Sequence, residues 1–106
     1  MNIKEAIKKV IEKENLNKED AYTVAFSIMN GEATDAQIAS LITALRMKSE
    51  TVDEITGFVK AMREKVTKIN APKEYLIDTC GTGGDGAGTF NISTISALVA
   101  LSLIHI

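Results

Sequence analysis

Five of the chain's seven glycines fall between Gly81 and Gly88, inside the stretch DTCGTGGDGAGTFNIST at positions 78–94. Glycine reaches positive φ without steric cost and lets another group come close to the backbone. Such density fixes a loop at this point. The apolar run Tyr75-Leu76-Ile77 leads into it, and the apolar pattern STISALVALSLI follows from Ser93. YLIDT, residues 75–79, therefore predicts a short buried strand. Residues 80–90 form the loop, and a helix starts near Ser93. Strand, glycine loop and helix are the opening half of a βαβ unit, whose second strand would follow residue 106. A single strand needs neighbours for its backbone groups, so the pattern predicts a chain cut inside an α/β domain.

Before Pro72 the character differs. Ile3, Ile7, Val10 and Ile11 recur at helical spacing and predict a first amphipathic helix ending near Asn15. Asn17 is the expected N-cap of a second helix that buries Ala21, Val24, Ala25, Ile28 and Met29, with Gly31 as its left-handed C′ residue. TDAQ, Thr34–Gln37, and TVDE, Thr51–Glu54, have the spacing of capping boxes. The third helix should bury Ile38, Leu41, Ile42 and Leu45. The fourth carries Val52, Ile55, Val59, Met62, Val66 and Ile69 in steps of three and four, a pattern read as core, and stops before or at Pro72. The expected organisation is a four-helix domain over residues 1–70, a linker over 71–74, and the start of an α/β domain over 75–106. The fragment is thus mostly α, cut from an α/β protein.

Twelve basic residues face fourteen acidic ones, a net charge of −2, which gives no reason to expect nucleic acid or an anionic membrane as partner. Cys80 is the single cysteine, so no internal disulfide forms, and a reducing compartment is expected. The charged N-terminus MNIKEAIKKVIEKE lacks the apolar core of a signal peptide. No apolar run reaches the roughly 20 residues of a membrane span.

Any anion site must then be local. A helix beginning near Ser93 offers free N–H groups and the positive end of its dipole. Asn91, Ser93 and Thr94 add short hydrogen-bonding side chains. A flexible turn would need fewer glycines, so the loop reads as a phosphate cradle. GTGGDG matches the bare G-x-G-x-x-G spacing at Gly81, Gly83 and Gly86. The helix starts too late for a dinucleotide fold, however, and no acidic residue follows at the distance that fold uses. No lysine completes a P-loop. Asp85 either meets a metal or ribose hydroxyls, or fixes the loop by accepting backbone hydrogen bonds. Asp78 reads as structural, and Cys80 as a small buried residue without a base to make it a nucleophile.

GTGGDG…TFNIST, Gly81–Thr94, resembles the phosphoribosyl-pyrophosphate loop of the anthranilate phosphoribosyltransferase family. Ile28–Lys65, with its NGEAT, AQI and ALR pieces, resembles that family's helical N-terminal domain. Ser49 departs from the family's commoner glycine in a turn far along the chain from the loop. The resemblance covers the chain to about Ala100. It implies transfer of a phosphoribosyl group from phosphoribosyl pyrophosphate (PRPP) to anthranilate in tryptophan biosynthesis, with Mg2+ neutralising the leaving group. It further implies a cytoplasmic homodimer joined through the helical domain. Carried over by motif, Gly81, Gly84, Asp85, Thr89, Asn91, Ile92, Ser93 and Thr94 would bind PRPP. Gly81 would also face anthranilate, and Ser93 would help ligate magnesium. No residue of this stretch is expected to be catalytic in its own right.

The family continues with a loop bearing lysine and histidine and then an acidic pair, neither of which is present; the flanks of His105 do not match that histidine. The chain alone is therefore expected to be inactive. LSLIHI, residues 101–106, departs from the small residues with which the family continues; it reads either as the in-frame translation of a library adapter, and so as non-native, or as an ordinary apolar helix end, which the codons would separate. The layout is shared with pyrimidine-nucleoside phosphorylases, but DTCGTGGDG does not fit their STGGVGDK-like core. A divergent phosphoribosyltransferase-like protein, or a non-catalytic helical module with a vestigial loop, are the other readings.

Overall fold

The computed structural model describes residues 1–81, 86–88 and 90–104. It contains α1 (Ile3–Ile11), α2 (Lys18–Met29), α3 (Asp35–Lys48), α4 (Val52–Lys65) and α5 (Ile92–Ile104). The chain divides into two compact units, Met1–Lys68 and Ile69–Ile106.

In the first unit every helix start is locally encoded. Asn2, Asn17, Thr34 and Thr51 each accept the N3 backbone N–H. In α1, α3 and α4 the N3 side chain, Glu5, Gln37 or Glu54, bonds back to the cap residue and completes a capping box. The boxes expected at Thr34 and Thr51 are present; the one at Asn2 was not anticipated. Two helices end in the same six-residue turn. After α2, Gly31 takes φ 76°, donating to Ile28 O while Glu32 donates to Ser27 O. After α1, Lys13 takes φ 64°, donating to Val10 O while Glu14 donates to Lys9 O. Both are Schellman closures. The second uses lysine where glycine is normal, which is why the sequence pattern placed the end of α1 too late.

α2 pairs with α4, and α1 with α3. The core joins Ile3, Ala6 and Val10 of α1, Leu16 of the connecting turn, Ala21 and Val24 of α2, and Leu41, Ala44 and Leu45 of α3. The α2–α4 seam is close because Gly57 has no side chain. A Cβ there would stand 2.8 Å from both Ala21 Cβ and Tyr22 N and would press on the Lys18 carbonyl oxygen. On the flank of the seam the Tyr22 hydroxyl donates to Glu64 Oε2 at 2.5 Å, and Lys60 Nζ sits 4.9 Å from the Tyr22 ring centroid.

This seam reverses one expectation. The face of α4 that is buried carries Glu54, Gly57 and Ala61. Val52, Ile55, Val59, Met62 and Val66, read as core, are exposed, as are Ile42 of α3 and Met29 of α2. Small residues at 57 and 61 are one helical turn apart and admit the α2 backbone. The bulky stripe, about 150° round the helix, is left facing outward. α4 also ends earlier than the pattern suggested, with Val66 in extended geometry as its C-cap, so Ile69 lies outside the helix.

In the second unit, the strand expected at 75–79 is not formed, and there is no strand among the described residues. Tyr75 lies in a turn with φ 55°, and residues 76–80 are irregular. A strand exists only through a ladder with a neighbour, and the described residues supply no neighbouring strand. The expected helix is present as α5, starting at Ile92. Its Leu98, Val99, Leu101 and Leu103 are exposed. His105 and Ile106 lie outside the described residues.

Candidate functional site

Asn91 sets the start of α5. Its Oδ1 accepts the Thr94 N–H at 3.0 Å, and its carbonyl accepts the Ile95 N–H at 3.2 Å. It is therefore the N-cap, and Ile92 and Ser93 are the first helical residues. Helix geometry gives their N–H groups no intrahelical acceptor, so they point outward at the positive end of the helix dipole. The Asn91 side chain, expected to hold phosphate, spends its oxygen on the helix and keeps its Nδ2 hydrogens as donors.

On the approach to the loop, Asp78 Oδ1 accepts the Cys80 N–H at 2.8 Å. The Cys80 thiol donates weakly to Gly81 O at 3.7 Å. Cys80 is exposed, contrary to the expectation of a small buried residue. Its side chain lies along the loop backbone instead of entering a core. A Cβ added to Gly81 would stand 3.0 Å from Ser93 Oγ, so the Gly81 backbone and the Ser93 hydroxyl are neighbours across the mouth of the loop. Gly86 and Gly88 take φ 69° and 64°, conformations in which a side chain is strained.

An open cleft of about 680 Å3 is lined by Leu76–Gly81 on one side and by Asn91, Ser93, Thr94 and Ala97 on the other. Of the expected site residues, Gly81, Asn91, Ser93 and Thr94 line the cleft together. Ile92 contributes its position at the helix start. Gly84, Asp85 and Thr89 lie outside the described residues. Asp78, read from the sequence as structural, lines the cleft and holds the turn at Cys80.

A resident magnesium site is not formed by the described residues. They contain no group of three His, Cys, Asp or Glu side chains able to hold a metal ion, and a lone Ser93 hydroxyl cannot supply the octahedral oxygen set that Mg2+ requires. No helix among them is long and apolar enough to cross a membrane.

A second concavity, on the first unit, is an apolar groove between α3 and α4 lined by Ile42, Leu45, Ile55, Phe58 and Val59, with Glu50 and Glu54 at its edge. Of its two acidic lining residues, Glu54 is committed to Leu16, Thr51 and Lys48.

Residues 4–66 match the helical bundle domain of the glycosyl transferase family, and residues 73–103 match that family's a/b domain. The chain belongs to the glycosyl transferase family. The second match covers the cleft and α5. An α/β relationship thus holds for a stretch with no strand among its described residues. Among relatives of this glycosyl transferase family chain, a Pelotomaculum thermopropionicum protein named anthranilate phosphoribosyltransferase is 60% identical over 97 residues, covering 92% of this chain and 28% of its own length. Proteins of the same name from a Thermoanaerobacter species and from Geobacillus stearothermophilus are 53% and 54% identical, covering 92% and 95% of this chain. The chain spans less than a third of the length of these three relatives.

Proposed function

We propose that this chain is the N-terminal part of an anthranilate phosphoribosyltransferase. The reaction is attack by the anthranilate amino nitrogen on C1 of PRPP. A C–N bond forms, the C1–O bond breaks, and its electron pair leaves with pyrophosphate as the amine loses a proton. The observation that carries the reading is the 60% identity to the Pelotomaculum relative across 92% of the chain, loop included.

The cleft suits the task for a physical reason. Transfer of this kind depends on positioning and on stabilising the charge that develops on the leaving group. The N–H groups at the start of α5, the Ser93 hydroxyl and the Asn91 amide hydrogens are all donors. Gly81 keeps the space before Ser93 open. In this reading Gly81, Asn91, Ile92, Ser93 and Thr94 hold PRPP, joined by Gly84, Asp85 and Thr89 of the same motif, and Gly81 also borders the anthranilate position. Magnesium would arrive as the counter-ion of the diphosphate, neutralising it, with Ser93 as one protein ligand. The proposed protein is a cytoplasmic homodimer joined through the helical bundle. The outward apolar side chains Ile42, Ile55, Val59 and Met62 support such an interface.

The test joins residues 1–100 to the remainder of the Pelotomaculum relative and follows the loss of anthranilate fluorescence after addition of PRPP and magnesium. Turnover supports the assignment. A folded chimera without turnover, beside an active parent relative, would refute it.

A further inference from the structure

We propose that Asp78 is a positioning residue for the diphosphate, acting through the turn that seats Gly81 against Ser93. The proposal rests on the phosphoribosyl reading above. Asp78 Oδ1 accepts the Cys80 N–H at 2.8 Å. This side-chain bond, two residues forward, replaces a backbone turn and sets the direction in which the chain leaves residue 80. The next residue is Gly81, whose α-carbon faces the Ser93 hydroxyl so closely that a Cβ would be 3.0 Å from it. The bond at Asp78 therefore lies one residue upstream of the contact that joins the two walls of the cleft.

Charge separates this role from direct binding. Asp78 is the sole formally charged residue among the described residues lining the cleft, and its sign is wrong for an anion. A carboxylate facing a diphosphate repels it unless a cation stands between them. With magnesium withheld, what Asp78 can contribute is thus the position of an acceptor oxygen. Asparagine keeps that oxygen and loses the charge, whereas alanine loses both.

The experiment uses the 106-residue chain and its Asp78→Asn and Asp78→Ala variants. PRPP is titrated calorimetrically with and without magnesium. Amide exchange at Cys80 is followed by NMR, and circular dichroism checks the helical bundle. Asp78→Ala should weaken PRPP binding by roughly tenfold, the scale of one lost hydrogen bond, and should speed exchange at Cys80. Asp78→Asn should bind PRPP as well as the parent or better, with Cys80 still protected. Both variants should melt as the parent does. Parent-like binding by Asp78→Ala overturns the proposal, as does Asp78→Asn binding as poorly as Asp78→Ala. A parent chain that binds neither PRPP nor inorganic pyrophosphate overturns this proposal, whereas the phosphoribosyl reading stands or falls with turnover by the chimera.

Discussion

Glu54 is the side chain on which the helical bundle depends most. It is 1% exposed, yet it is charged. Its Oε1 accepts the Leu16 N–H at 2.9 Å, and its Oε2 accepts the Thr51 N–H at 2.8 Å and Lys48 Nζ at 3.0 Å. Lys48 is itself nearly enclosed, and its other donors reach Asn15 Oδ1 and Ser49 O, both at 2.9 Å. One carboxylate thus ties the α1–α2 turn, the end of α3 and the start of α4. Glu54→Ala strands an ammonium and two backbone donors. Removing one partner of a buried pair costs about 3–5 kcal/mol, whereas a domain of this size has roughly 3–10 kcal/mol in all. Glu54→Gln keeps the shape but turns an NH2 toward donors, and should cost about 2–3 kcal/mol. Lys48→Met in the Glu54→Gln background should cost at least about 1 kcal/mol less than in the parent, because the two residues form one network. Urea unfolding followed by circular dichroism measures all three. A loss under about 1 kcal/mol for Glu54→Ala, or strict additivity in the cycle, would refute the reasoning.

The pH dependence follows from the same contacts. Burial pushes the Glu54 carboxyl up, but the Thr51 and Leu16 N–H groups and the Lys48 ammonium together outweigh it, and the folded pKa lies below the ordinary glutamate value. A depressed folded pKa means the contribution is fully present above the unfolded value, about 4.3. It is lost as pH falls through the lower folded value. The parent should therefore lose stability below about pH 4, and Glu54→Gln should lack that part of the acid limb. At the α2–α4 seam, Gly57→Ala gains about 1 kcal/mol of helix propensity but must push α2 aside, an overpacking cost of about 1–3 kcal/mol. Net destabilisation in urea is expected, larger for Gly57→Val, and a stabilised Gly57→Ala would show that the helices separate freely. Lys13→Gly should stabilise the bundle by about 1 kcal/mol by relieving the left-handed backbone at φ 64°; an unchanged melting midpoint would mean that the lysine stem repays its strain. In the proposed homodimer, Ile55→Glu with Val59→Glu should keep the helical content while shifting sedimentation from dimer to monomer. A dimer that survives both changes places the interface elsewhere.

The sequence was most informative where the physics is local. A capping box needs two side chains three residues apart, so Thr34, Gln37, Thr51 and Glu54 could be read directly. Left-handed Gly31 was equally legible. Periodicity located α4 but not its buried face, because it counts apolar residues and cannot see how near a neighbouring backbone will come. The available clue was Gly57 with Ala61 one turn on. Glycine inside a helix is costly enough to require a packing reason. Glu54 was legible as a cap, but its bond to Leu16, 38 residues away, was not. The strand at 75–79 failed as a prediction because strand formation is a property of two segments, and an apolar run specifies only one of them. Among the residues lining the cleft, Ser93, Thr94 and Gly81 stood out in the glycine and hydroxyl pattern. The division of labour between Asn91 and Asp78 was not, since either side chain can bond a ligand or its own backbone.

That division limits how the cleft can work. Both Asx side chains flanking the loop have an oxygen committed to main-chain donors, Asp78 to Cys80 and Asn91 to Thr94. The described lining residues include no lysine or arginine. Without a bound cation, attraction for an anion must then come from N–H and O–H donors held in place, and a fixed dipole is effective only while its orientation is maintained. A mobile lysine could follow a displaced phosphate, but a helix N-terminus cannot. Binding by such a cleft should therefore be sensitive to small changes in the turn at 78–81 and comparatively indifferent to the net charge of the chain. Gly81→Ala provides the contrast: its Cβ would reach the Ser93 hydroxyl at 3.0 Å and should weaken PRPP binding without altering charge. Reversing a surface charge at Lys4 or Lys8, on α1, should leave that affinity unchanged. If the charge reversals weakened binding and Gly81→Ala did not, long-range electrostatics rather than fixed backbone donors would govern the site.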